Sequence, residues 1–195
     1  MSSQLRYDGV AIALHWLTAL FIVGLLAVGL IMTDLPKGSA LQFSFFQLHK
    51  SMGITVLGLT ILRLAWRLAH RPPDLPETMT SWEKTAAHAG HLGLYALLFG
   101  LPLSGWALVS ASPRNIPTML YGVVPWPHLP ILSTLTDKKP VAEAIEDLHS
   151  AAAWILMALL VVHVGAALWH HFARKDDVLR RMLPRFSSDF RSTAR

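Results

Sequence analysis

The amino-acid sequence predicts an all-α integral membrane protein built as a bundle of four helices. Hydrophobic residues make up 53% of the 195 residues and charged residues only 15%, whereas soluble domains contain roughly 25% charged residues. The mean hydropathy of +0.43 agrees with this class. A helix needs about 20 predominantly apolar residues to cross the hydrocarbon core of a bilayer. Four stretches meet that length: about 9–32, 45–68, 85–109 and 145–172.

The first apolar stretch is predicted to stay in the mature protein. It is longer than the roughly 7–15 apolar residues of a secretory signal peptide. It also contains His15 and Trp16, and no clear small-x-small cleavage site follows it. We therefore interpret residues 1–195 as one membrane domain surrounded by lipid, ending in a cytoplasmic tail at 173–195.

Basic residues cluster on one side of the predicted membrane. The positive-inside rule places Lys- and Arg-rich segments in the cytoplasm. On this rule both termini are cytoplasmic, and the loops at about 33–44 and 110–144 face the opposite, outer side. The net charge of +5 comes from Lys and Arg residues at the edges of the apolar spans, where they set the orientation in the membrane. We therefore expect no nucleic-acid partner. The predicted cytoplasmic cations are Arg6, Arg63, Arg67, Arg71, Lys84, Arg174, Lys175, Arg180, Arg181, Arg185, Arg191 and Arg195. The predicted outer cations are Lys37, Lys50, Arg114, Lys138 and Lys139.

The absence of cysteine narrows the possible chemistry. The chain has no Cys and ten His. Disulfides, iron–sulfur clusters held by thiolates, cysteine zinc sites and a haem attached at a C-x-x-C-H motif are therefore excluded.

Four of the histidines lie inside predicted spans, where polar groups are costly and usually functional. One such histidine alone would more often be a hydrogen-bonded core residue. Counting from the span ends gives two levels, with His15 and His163 in the inner half and His49 and His149 in the outer half. The matched depths predict one histidine pair at each level.

The spacing of His149 and His163 favours haem as the group that these pairs hold. They are fourteen residues apart, which is about four turns at the 3.5-residue period of left-handed helix packing. Both side chains therefore face one seam, about 21 Å apart along the axis. Zinc requires three or four converging ligands, whereas two histidines fit the axial positions of a haem iron. We predict two stacked b-type haems; a bundle without a cofactor is the alternative.

Arg63 follows His49 by the same fourteen residues, which places it on the same seam at the inner level. A buried arginine needs an anion, and a propionate of the inner haem would supply one. Alternatively, the long side chain reaches along its helix to the cytoplasmic surface. The sequence leaves both interpretations open.

Other histidines lie near the inner level. His170 follows His163 by seven residues, on the same seam, and could donate a hydrogen bond to a quinone carbonyl. His91 lies deeper in the third span than His88 and could support a ligand, contact quinone or replace an inner ligand. His88 and His171 are better interpreted as interfacial residues that contact lipid headgroups.

Several motifs resemble the bacterial cytochrome b561 family, and the resemblance covers nearly the whole chain. The first span reads AIALHWL, and the second reads QLHKSMGI followed by LRLAWRL. The third reads AHAGHLGLYALLFGLPLSGW. The last combines DLHSA with VVHVGAALWHHF and ends in RRMLPR, which is the most specific part.

This resemblance implies a four-helix protein of the bacterial inner membrane with two haems b and a ubiquinone partner. By position, His15 and His163 would bind the inner haem, and His49 and His149 the outer haem. His170 matches a position near quinone in the family. Within the family, the chain looks most like superoxide oxidase, an oxidoreductase that passes electrons from superoxide to ubiquinone.

Three functions remain open at this stage. The leading hypothesis is electron transfer from a small anionic donor such as superoxide, through two haems, to ubiquinone. The second is a cytochrome b membrane anchor for a hydrogenase or formate dehydrogenase, which would dock a partner protein. The third is a haem-free transporter or structural bundle, but the sequence has no inverted repeat of broken helices to support it.

Overall fold

The four apolar stretches form four long helices in the computed structural model, which describes residues 6–184. Each of these helices is long and apolar enough to cross a membrane. The predicted fold class is confirmed, and the chain is a multi-pass membrane protein. The tail residues Arg185, Arg191 and Arg195 lie outside the described residues. The long helices are α1 (Gly9–Asp34), α2 (Ala40–Ala69), α3 (Ser81–Ala111) and α5 (Lys139–Trp169), and α4 (Pro130–Ser133) is a single turn.

Polar side chains start the first three long helices. The side chains of Asp8 and Ser39 accept hydrogen bonds from backbone N–H groups in the first turns of α1 and α2. Thr80 and Glu83 form a reciprocal capping box on α3, which satisfies two otherwise unpaired N–H donors. Because α2 and α5 begin before their apolar stretches, His49 and His149 lie well inside helices.

The bundle is packed from two helix pairs, α1 with α2 and α3 with α5. A central cluster joins them, made of Ile22, Val56, Leu94, Leu98 and Leu156. The largest fully buried side chains are small and polar: Thr18, Ser51, Thr60 and Ser110. Large apolar residues such as Leu20 and Val161 point outward. This distribution is expected of helices that pack closely through small residues and present apolar ones to lipid.

Both ends of the described chain lie at the same end of the bundle, which we call the inner end. The Arg6 guanidinium donates to the Leu183 carbonyl at 2.9 Å, and Trp16 Nε1 donates to the Met182 carbonyl at 2.7 Å. The segment after α5 therefore crosses back to the start of α1. We call the opposite end the outer end.

The long outer loop contains a β-hairpin that the sequence did not predict. Strands β1 (Thr118–Leu120) and β2 (Val124–Trp126) pair antiparallel. Between them, Tyr121 and Gly122 have φ angles of 49° and 75°. Positive φ at both central residues defines a type I′ turn, which matches the twist of paired strands.

The inner end of α5 changes its helical geometry. Residues His170–Arg174 form one π-helical turn, and Lys175 then adopts a left-handed conformation with φ of 56°. A short 3₁₀ turn, Arg180–Met182, follows. These features end the helix and direct the chain toward α1.

Candidate functional site

His49 and His149 face each other near the outer end of the bundle. Their ring centroids are 6.3 Å apart and their planes are inclined by 72°. His49 comes from α2 and His149 from α5, so the two rings belong to different helix pairs.

A glycine lies against each of these rings. A Cβ atom added at Gly29 of α1 would lie 3.1 Å from Cε1 of His49, and one at Gly105 of α3 would lie 3.3 Å from Cε1 of His149. Both contacts are tighter than ordinary van der Waals packing. The two glycines therefore leave the space that the imidazole rings occupy.

Ser104 sets the protonation pattern of His149. The Ser104 hydroxyl donates to the Leu101 carbonyl at 2.9 Å and lies 2.9 Å from Nδ1 of His149. Since its single proton is directed at the carbonyl, the hydroxyl accepts from Nδ1–H. The lone pair of His149 is then on Nε2, the nitrogen available to a metal.

Three histidines meet near the inner end. The centroid of the His163 ring lies 6.3 Å from that of His15 and 5.7 Å from that of His91. Of these two, only the separation between His15 and His163 equals the 6.3 Å separation of the outer pair. His91 on α3 is close enough to contact the His163 ring at its edge, with an interplanar angle of 66°.

The two 6.3 Å separations fit an iron atom held between two imidazoles. A first-row metal binds a histidine nitrogen at about 2 Å. Since ring C–N bonds are about 1.33 Å long, that nitrogen lies about 1 Å from the ring centre. Two rings on opposite sides of one metal would therefore have centroids about 6 Å apart.

A buried ring nitrogen at the inner end is without a partner in the described part of the chain. Among the described residues, Nδ1 of His15 has no hydrogen-bond partner, and buried polar groups without partners are uncommon. Across residues 6–184, no three His, Asp or Glu side chains form a metal cluster. Two-ligand haem iron therefore suits this chain better than zinc.

Arg63 lies over an aromatic ring in the inner half of the bundle. Its guanidinium carbon is 5.5 Å from the centroid of Tyr95 on α3, a cation–π distance. Among the described residues no carboxylate lies within 4.0 Å of Arg63. The ring therefore positions a cation that has room for an external anion.

His170 is buried and already bonded on one side. Its Nδ1 lies 2.5 Å from Oδ2 of Asp176, and both side chains are 9% exposed. Beside this pair, Arg174 forms a 3.0 Å ion pair with Glu83. The carboxylate fixes the orientation of the His170 ring and leaves Nε2 for any further contact.

Four supporting residues were not identified from the sequence. Helical spacing places Arg63 on a face, but it does not show which aromatic ring of another helix it meets. Gly29, Gly105 and Tyr95 act across helix boundaries, which a single sequence does not specify. Ser104 precedes Gly105 within the motif LSGW, and a hydroxyl next to a glycine in an apolar span was the one available signal.

The chain is similar to known proteins over nearly its whole length. A family model described as "Prokaryotic cytochrome b561" matches residues 6–185. Cytochrome b561 homolog 2 of Escherichia coli K12 is 37% identical over 185 residues, covering 95% of each chain. Cytochrome b561 homolog 1 of the same organism is 31% identical over 180 residues, covering 92% of this chain and 98% of the relative. A Yersinia pestis protein named "Probable superoxide oxidase CybB" is 26% identical over 180 residues, covering 92% and 97%.

Proposed function

We propose a specific electron path for this chain, which belongs to the prokaryotic cytochrome b561 family. Proteins of this family are membrane electron-transfer cytochromes, and membership implies b-type haem. In our proposal the chain holds two haems b and carries electrons from superoxide at the outer end to ubiquinone at the inner end. It would thus be an oxidoreductase of the bacterial inner membrane with both termini in the cytoplasm.

The two histidine pairs carry this proposal. His49 and His149 would hold the outer haem, and His15 and His163 the inner haem, because the 6.3 Å separation of each pair fits one metal between two imidazoles. With a histidine pair to hold each haem, bound haem would supply one-electron redox chemistry. The chain's own residues fix the rings, exclude water and adjust the local charge.

Uncompensated cations support an anionic donor at the outer end. Among the residues that the structure describes, Lys50, Arg114 and Lys138 have no carboxylate within 4.0 Å, whereas Lys139 pairs with Glu143. Such charges raise the local concentration of a small anion. The printed name of the Yersinia pestis relative supports superoxide as that anion.

The proposed reaction balances with a quinone acceptor. Two superoxide anions each lose one electron and become dioxygen, and one ubiquinone takes up both electrons and two protons. His170 and His91 are the inner histidines that we propose for contact with quinone or support of a ligand. Nε2 of His170 suits a quinone carbonyl because Asp176 already holds the other nitrogen.

A pulse experiment tests the donor and the acceptor together. Superoxide given to purified, haem-replete protein with ubiquinone should produce ubiquinol faster than the uncatalysed reaction. Replacing both Arg114 and Lys138 by Gln should lower this rate and its dependence on ionic strength, while Lys84→Gln at the inner end should leave both unchanged. No acceleration in haem-replete wild-type protein would reject superoxide as the donor.

A partner-docking anchor predicts a different result. An anchor subunit would co-purify with a stoichiometric soluble protein and would reduce quinone only with that partner's substrate. Gentle isolation from native membranes, followed by composition analysis, separates the two functions. A lone haem protein active on superoxide supports the proposal.

A further inference from the structure

The outer loop folds back along the outside of the bundle instead of standing above it. From Pro117 the chain runs down α2, turns at Tyr121 and Gly122, and returns through Trp126. The carbonyl of Pro117 accepts from the Gln47 side chain at 2.9 Å. Trp106 of α3 donates to the Pro127 carbonyl at 2.8 Å, so the hairpin lies against both α2 and α3.

The depth of this hairpin in the membrane can be judged by comparison with helix α1. Between Asp8 and Asp34 it carries no charged side chain, and its 26 residues are longer than a bilayer core requires. A Cβ atom at Gly24 would meet the terminal methyl of Met52 at 2.9 Å. Met52 of α2 is therefore level with the outer side of the middle of α1.

The side chain of Tyr121, at the tip of the hairpin, reaches the level of the central core. The Tyr121 hydroxyl forms a 2.7 Å hydrogen bond with Thr55, which is three residues deeper along α2 than Met52 and next to Val56. Val56 belongs to the central cluster together with Ile22. Because α1 must lie in the hydrocarbon core at Ile22, the hydroxyl end of Tyr121 lies there as well. The backbone of the turn, which bonds to Ser51, lies one helical turn nearer the outer end, in the outer half of the bundle.

Two buried serines accept hydrogen bonds from the backbone of the outer loop. The backbone N–H of Tyr121 donates to Ser51 at 2.9 Å, and that of Leu129 donates to Ser110 at 2.9 Å. Both serines are essentially fully buried. Non-helical backbone at membrane depth is tolerated where it packs against the protein, and these two serines attach the loop backbone to α2 and α3.

The side of the hairpin that faces away from the helices is apolar. Tyr121 is 55%, Val123 76% and Val124 52% exposed. This surface continues the outward-facing apolar surface of the bundle, which the membrane covers. No charged residue interrupts the segment from Ile116 to Trp126.

We propose that residues 117–127 form a re-entrant hairpin inserted into the outer leaflet, where Tyr121, Val123 and Val124 contact lipid acyl chains. The hairpin closes the outer half of the α2–α3 interface on its lipid side. This inference is independent of the haem number, the donor and the acceptor, because it depends only on depth, hydrogen bonding and exposed apolar surface.

The cysteine-free chain allows a direct depth measurement. Single cysteines at Val123, at Lys37 in the other outer loop and at Leu20 in mid-α1 would be labelled with a fluorophore in nitroxide-lipid vesicles. We expect L20C to be quenched most by nitroxides near the acyl-chain ends, V123C most by nitroxides on the upper part of the acyl chains, and K37C most by nitroxides at the headgroups. A Val123 label that follows the K37C pattern would overturn the proposal, as would one shielded from both water and lipid, which would indicate a protein partner.

A second variant keeps the test informative if the label disturbs folding. V123C should react with a membrane-impermeant thiol reagent about tenfold or more slowly than K37C, because hydrocarbon excludes the reagent. Adding Ser51→Ala removes the acceptor of the Tyr121 N–H and should raise the V123C reaction rate, whereas the exposed Ser44→Ala should not. Equal rates at V123C and K37C, with Ser51 intact and the protein folded by size-exclusion chromatography, would reject insertion.

Discussion

Nδ1 of His149 on α5 lies 2.9 Å from the hydroxyl of Ser104 on α3. This hydrogen bond ties one ring of the outer pair to a neighbouring helix. A hydrogen bond from Nδ1–H makes an imidazole a stronger donor to a metal. Stronger donation stabilises the oxidised iron and lowers its reduction potential.

Replacing Ser104 by Ala should raise the midpoint potential of one haem by roughly 60 mV or less. A tenfold change in the relative affinity for the two oxidation states corresponds to about 59 mV for one electron. Redox titration followed by optical absorption measures this shift. Ser104→Thr, which keeps the hydroxyl, should retain the wild-type potential, and the exposed Ser44→Ala serves as a control. An unchanged potential in Ser104→Ala would show that the bond does not tune a haem.

Replacing Gly29 by Ala should lower the haem content of the purified protein. The new methyl group would lie 3.1 Å from Cε1 of His49, so the ring must turn away from its partner. A Cβ atom added at Gly58 of α2 would meet no atom within 4 Å. Gly58→Ala should therefore retain full haem content, and it should stabilise the helix by up to about 1 kcal/mol. Pyridine haemochrome analysis per mole of protein measures both variants. Equal haem content would mean that Gly29 does not shape the site.

The histidine pairs predict which substitutions remove the same haem. His49→Ala and His149→Ala should each abolish one spectral component, and His15→Ala and His163→Ala should abolish the other. His91→Ala should keep both, because His91 contacts the His163 ring only at its edge. Dithionite-reduced difference spectra at low temperature resolve the components. Loss of the same component in His15→Ala and His49→Ala would refute the pairing.

Arg63→Gln should lower the potential of the inner haem. Removing a nearby positive charge stabilises the oxidised, more positive iron. For a separation of about 10 Å and an effective dielectric constant of about 20, the interaction is roughly 1.7 kcal/mol, or about 70 mV. Tyr95→Leu should produce a smaller shift of the same sign by loosening the guanidinium. If the potential of the outer haem changes instead, Arg63 is not next to the inner haem.

Asp8→Ala should lower the free energy of unfolding by about 1–2 kcal/mol. The Asp8 carboxylate caps α1 by accepting a hydrogen bond from the Ala11 N–H, and it accepts a second from Trp66 Nε1 at 3.1 Å. Partial burial opposes ionisation, but these hydrogen bonds outweigh it and lower the pKa of Asp8 below its ordinary value of 3.8. The stabilisation is therefore complete above pH 3.8 and is lost as the pH falls through the lower folded-state pKa. Thermal unfolding in detergent should show this loss, and Asp34→Ala at the exposed outer end of α1 should change little.

The sequence predicted those parts of the molecule that depend on local composition. The apolar stretches required helices, since a backbone in lipid must bond to itself, and the depth of His15, His49, His149 and His163 followed from counting along those helices. The structure places the rings of each predicted pair 6.3 Å apart. Whether they bind haem stays a prediction.

Features that depend on contacts between helices were beyond a single sequence. Ser104 and Gly105 become informative only when the rotation of α3 relative to α5 is known. The hairpin was not predicted because strands of three residues are too short to show the alternating apolar and polar pattern of a β-strand. Tyr121 and Gly122 were its one local signal, since type I′ turns favour glycine.

The division of the bundle into an α1–α2 half and an α3–α5 half has a consequence for assembly. Each proposed pair takes one histidine from the first half, His15 or His49, and one from α5. Bound haem would therefore add two further links between pieces of chain that also meet through the central cluster, the outer hairpin and the inner segment after α5. Cofactor loading would then stabilise the association of two helical hairpins, and two fragments divided between Ala69 and Ser81 would reassemble more tightly with haem than without it.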